Sequence, residues 1–70
     1  MSISEKIRVL LARRKMTVTK LAAEMDISRQ YLTKKLKNED FTYCELSVIA
    51  DILGCDFDVS FTDRQNKERI

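Results

Sequence analysis

Seventy residues make one domain at most, and a chain this short hides only ~60% of the surface it exposes when unfolded. Such a domain usually needs a staple or a partner. The two cysteines, Cys44 and Cys55, stand in apolar stretches with no histidine and no CxxC, which excludes a zinc pattern and reads as two buried, reduced thiols. No apolar run approaches the ~18 residues of a membrane span and none resembles a signal peptide, so the expected setting is the cytoplasm. The net charge of +2 hides an asymmetry. Residues 1–37 hold ten Lys/Arg against three Asp/Glu, a net +7, and residues 38–70 hold three against eight, a net −5. The basic half suits a polyanion.

Apolar spacing is helical as far as Leu53. The first helix is predicted over 3–15, with Ser2 and Glu5 as a capping box and Ile3, Ile7, Leu10 and Leu11 facing inward. A second begins after Thr17 and covers 18–25. A third begins after Ser28 and covers 29–37. A fourth begins after Thr42, with Glu45 completing a capping box, and ends at Gly54. Met16 with Leu21, Ile27 with Leu32 and Phe41 with Leu46 take the positions of three hydrophobic staples. Phe41, Tyr43, Leu46, Ile49, Ala50 and Leu53 read as core. After Gly54 the period becomes two: Phe57, Val59 and Phe61 alternate with polar residues, which predicts a strand. Residues 64–67 can turn and 68–70 can return as a second short strand. Residues 1–55 thus form the helical domain and 56–70 an appended hairpin.

Only Asp26, Ile27 and Ser28 separate the second and third helices. So short a link makes the helices cross steeply, and close approach needs a small residue, Ala22. The turn also needs one residue at positive φ, which Asp26 tolerates less well than Gly. The pattern Thr17-x-x-x-Leu21-Ala22-x-x-Met25-x-Ile27-Ser28-x-x-x-Leu32 resembles the helix-turn-helix of the phage lambda repressor/Cro family, also called the Xre family. The resemblance spans about residues 3–53. It implies a mainly α, compact four-helix fold, to which the C-terminal strand or hairpin is added. Three positions depart from the family's habit: Val18 replaces a usual Gln that touches phosphate, Asp26 a usual Gly, and Lys35 a usual apolar residue whose packing Leu36 can take over.

The resemblance implies that the third helix enters the major groove of double-stranded DNA with its first turns at base edges. Arg29 and Lys34 can then pair with guanine and Gln30 with adenine, while Thr33 can reach a base or a thymine methyl. Thr17 and Ser28, at helix N-termini, and Lys35 and Lys37 suit phosphates. Tyr31 can stack on the sugar-phosphate backbone or pack beside Ile27. Phe57, Val59 and Phe61 are the expected dimer contacts, because two recognition helices read two half-sites. The expected role is a homodimeric transcription regulator, for which repression by covering a promoter is the simplest mechanism; activation stays open, as does a monomer whose hairpin folds back on its own fourth helix. No metal, cofactor or small-molecule effector is called for. No histidine, phosphate loop or singled-out carboxylate pair suits catalysis, so an enzyme is not expected. The competing reading is a protein-interaction module, such as an antitoxin or anti-repressor, that uses the same fold.

Overall fold

A computed structural model describes residues 1–70 as four α-helices and a non-helical tail. The helices are α1 (Ile3–Arg13), α2 (Val18–Glu24), α3 (Arg29–Asn38) and α4 (Tyr43–Leu53). Each starts on the expected residue. The hydroxyls of Ser2, Thr17, Ser28 and Thr42 each accept a hydrogen bond from the backbone N–H three residues on, all at 3.1 Å. One otherwise orphaned donor per helix is satisfied in this way. Glu5 and Glu45 complete the capping boxes of α1 and α4.

The four helices also end alike. After each comes one residue in the left-handed region: Lys15 (φ 53°), Asp26 (φ 59°), Glu39 (φ 53°) and Gly54 (φ 68°). The next N–H then reaches back to the last turn, from Met16 to Leu11 O (2.9 Å), Ile27 to Ala22 O (3.0 Å), Asp40 to Lys35 O (3.1 Å) and Cys55 to Ala50 O (2.8 Å). These are Schellman closures, and three of the four do without glycine. Asp26 takes the positive φ expected of it. Lys15 does so as well, which ends α1 two residues before its predicted end.

Ile7, Leu11, Leu21, Ala22, Leu32, Leu36, Ile49 and Leu53 form one buried core. Met16, Ile27, Phe41 and Leu46 pack against it, so every staple residue lies in or beside the core. Ala22, 1% exposed, sits among these residues as α2 packs on α3. Tyr43 departs from expectation: it is 57% exposed, and its ring lies 5.3 Å from that of Phe57. Cys44 is exposed and Cys55 half-buried, so neither is the buried thiol expected of it.

The predicted strand over 57–61 does not form, and the protein contains no sheet. The tail makes a single antiparallel bridge, Thr62 with Arg69. Phe61 and Ile70 exchange two backbone hydrogen bonds (2.9 and 2.7 Å), and Asp63 accepts from Lys67 at 2.8 Å across the turn. Residues 55–60 form neither helix nor ladder, because no other strand exists to pair with them. The protein is therefore elongated, 44 × 22 × 20 Å. Its radius of gyration of 13.9 Å exceeds the ~11 Å of a compact chain of this length.

Candidate nucleic-acid interface

The two helices with no carboxylate in the first turn are α2 and α3. α3 has no acidic residue anywhere along it and carries four cations. Leu32, Lys35 and Leu36 turn one side of it into the protein. Arg29, Gln30, Thr33, Lys34 and Lys37 are all exposed. At about 100° per residue these five share the opposite side of the helix, an arc of about 140°. The four predicted base-contact residues thus lie together on one solvent face, with Lys37 a turn beyond Thr33. The short turn Met25–Ser28 and the packing of α2 hold this face forward.

Thr17 and Ser28 are exposed at the starts of α2 and α3. Their hydroxyl oxygens accept from Lys20 N and Tyr31 N, and each O–H stays able to donate. Tyr31 is 50% exposed and lies beside Lys35. Val18 is half-buried against the core, so its side offers no polar group to a phosphate.

Lys35 does not join the exposed set. Its ammonium contacts both carboxylate oxygens of Glu45 (2.9 and 3.1 Å) and the carbonyl of Asp40 (3.1 Å). The Tyr31 and Phe41 ring centroids lie 5.0 and 6.0 Å from it. The physical reason is position. Residue 35 follows Leu32 by three and so falls on the core side of α3, where a lysine has to bring a partner with it. Leu36 is buried as expected, yet it shares that side with Lys35 and does not replace it. The Glu45 hydrogen bond raises the pKa of Lys35 above 10.5, its ordinary value. Glu45 is held below the usual carboxylate range, first by the Thr42 N–H and then by Lys35.

Three further residues hold the helices in place, and sequence reasoning missed all of them. The Glu39 carboxylate accepts from Ser4 N at 3.1 Å, and hydrogen bonds from Ser2 and Ser4 lower its pKa. Buried Ser4 donates its hydroxyl to the Leu36 carbonyl. Arg14 Nε donates to the Leu53 carbonyl at 2.8 Å, capping the end of α4. Each partner lies more than thirty residues away, so no local spacing reveals the pair. For Lys35 a signal did exist, a charge within an apolar stripe.

Of the expected dimer residues, Phe57 is half-buried beneath Tyr43, while Val59 and Phe61 are 48% and 73% exposed. No helix is long and apolar enough to cross a membrane.

A short turn between two capped helices, with the second presenting a basic and amide-bearing face, defines a helix-turn-helix DNA-binding domain. The family described as Cro/C1-type HTH DNA-binding domain matches residues 6–58, and the chain belongs to that family. The match bears out the resemblance read from Thr17 to Leu32. No curated protein and no solved structure matches the chain significantly.

Proposed function

We propose that the protein is a sequence-specific transcription regulator of the cytoplasm. It binds double-stranded DNA as a homodimer and represses by covering a promoter. The observation that carries this reading is the exposed face of α3, where Arg29, Gln30, Thr33 and Lys34 stand together with no acid on the helix. In the major groove Arg29 and Lys34 take guanine, Gln30 takes adenine, and Thr33 takes a base or a thymine methyl. Thr17, Ser28, Tyr31 and Lys37 take phosphates and set the register. The tail supplies the dimer. Phe57 is engaged within its own chain, which leaves Val59 and Phe61 as exposed apolar surface on the tail. A second copy about a two-fold axis covers that surface and places a second α3 one helical turn of DNA away, ~34 Å.

Selection of bound duplexes from a random pool tests the whole reading. The expected result is a two-fold symmetric site with half-sites one turn apart, bound by a dimer. Affinity should fall steeply as salt rises, because each phosphate contact releases counterions. Absence of saturable duplex binding would sink the proposal and favour a protein-binding module.

A further inference from the structure

We infer that Lys35 is a positioning residue for DNA reading: through Glu45 it ties the second half of α3 and the Tyr31 ring to α4, and so sets the angle at which Thr33 and Lys34 meet bases. The inference rests on α3 being the recognition helix. It departs from the phosphate role that a lysine on this helix would suggest.

The first constraint on Lys35 is valence. A lysine ammonium has three N–H donors. Two point at the Glu45 carboxylate and one at the Asp40 carbonyl, so none is left for a phosphate. The second is rigidity. Glu45 also accepts from Thr42 N at 2.8 Å as part of the α4 cap. Lys35 is therefore tied to a group that is itself locked to backbone. The third is placement. Tyr31 lies one turn before Lys35 on the same side of α3, with its ring 5.0 Å from the ammonium. Tyr31, Lys34, Lys35, Asn38 and Asp40 line one shallow cleft of about 120 Å³, so Lys35 and Lys34 of the reading face border the same cleft. The other side of this last turn is held from α1, by Ser4 on the Leu36 carbonyl and Glu39 on Ser4 N. The C-terminal half of α3 is thus clamped from α4 and from α1. Loss of either member of the pair leaves the other charge without its partner, and the freed group moves toward water.

Two variants test this. Lys35→Met keeps an unbranched apolar stem, and Glu45→Gln keeps an acceptor for the α4 cap. Each is compared with the parent by duplex selection, by the salt dependence of affinity, and by amide hydrogen exchange in the free protein. Both variants should lose roughly fivefold or more discrimination at the same base positions, and in Lys35→Met the salt slope should stay unchanged. In Glu45→Gln the amides of Lys37 and Asn38 should exchange faster while that of Leu21 does not. Glu45→Gln is the sharper variant, since loss of an acidic charge would on its own favour a polyanion. A Lys35→Met protein with intact base preferences and a salt slope shallower by about 0.9 would overturn the inference in favour of a phosphate contact. Unchanged preferences and unchanged exchange in both variants would overturn it outright. If the parent itself binds no duplex, the recognition-helix reading fails first and this inference falls with it.

Discussion

The helices and the tail of this chain obey different rules. Every buried residue lies between Ser4 and Leu53, and none lies from Gly54 to Ile70. The helical part closes its own backbone: a hydroxyl opens each helix, a left-handed residue ends it, and an apolar stripe faces one core. The tail closes only one bridge and, Phe57 apart, leaves its apolar side chains Val59, Phe61 and Ile70 exposed. One region is a finished structure. The other leaves apolar side chains exposed. Stability should therefore be lost by changes in the first region and assembly by changes in the second.

The largest effect expected is from Leu32→Ala. Leu32 is fully buried between the helices, and such truncations cost about 2–5 kcal/mol, enough to unfold much of a domain this small. Phe61→Ala removes a bigger side chain from a 73% exposed site and should change the unfolding free energy of the monomer, read from urea curves, by under about 0.5 kcal/mol. Equal losses in the two variants would break the contrast between body and tail. Next in size is Arg29→Ala, which should cost about 1–3 kcal/mol on a selected duplex and relax one base position. Lys37→Ala should weaken all sequences more evenly. Fluorescence anisotropy on selected and scrambled duplexes separates the two. Smaller again is deletion of residues 56–70. It forfeits the Tyr43–Phe57 contact, worth about 0.5–1.5 kcal/mol, and should keep the helical far-ultraviolet spectrum. Light scattering should then report monomers, and these should bind DNA weakly. A truncated chain that still dimerises would move the interface onto the helices.

This division also explains what could be read from sequence. The four N-caps, three staples and the turn at Asp26 are signals confined to about four residues, and each lies where the pattern put it. The exposed face of α3 follows from the same periodicity. The tail's alternation marks a face but cannot supply a partner strand, so the predicted strand over 57–61 is absent. Lys15 and Glu39 at positive φ were not foreseen, since neither belongs to the residue types that favour that region. The pairings of Ser4, Arg14 and Glu39 depend on how helices pack, and the inward turn of Lys35 on a carboxylate ten residues away.

Acid should expose the clamps of the helical body. Glu39 and Glu45 both have carboxyls held below their ordinary value of 4.5, by hydrogen bonds from Ser2 and Ser4 and from Thr42 and Lys35. A carboxylate whose folded pKa is depressed adds stability that is fully present above its unfolded pKa and is lost as pH falls through the folded value. The urea midpoint should therefore hold steady above about pH 5 and fall below the ordinary carboxylate range. Glu39→Gln should flatten part of that fall. A fall of the same depth in Glu39→Gln would show that the Ser4 contact contributes nothing. Lys35 gives the opposite arm. Its pKa is raised above 10.5, so its contribution is present below that value and is lost as pH rises through the folded one.

The smallest effect, and the cleanest, concerns how the helices end. Lys15 holds φ 53° after α1, and its side chain makes no hydrogen bond or ion pair. A left-handed conformation costs a residue with a Cβ roughly 1 kcal/mol, and glycine does not bear that cost. Glycine in turn loses more unfolded-state freedom, about 0.4–1 kcal/mol. Lys15→Gly should therefore come out neutral to stabilising, by less than about 1 kcal/mol. It also removes one cation from the basic half, so duplex affinity should not rise. Gly54→Ala is the mirror test. A Cβ at Gly54 would meet nothing within 4 Å, so any loss reports the backbone at φ +68° and not crowding. Chemical denaturation of the two variants beside the parent gives both numbers. A destabilised Lys15→Gly protein would mean that the lysine itself holds the end of α1, as Arg14 next to it holds the end of α4 through the Leu53 carbonyl. A neutral Gly54→Ala protein would mean that the closure of α4 tolerates a side chain as readily as the three closures that already carry one.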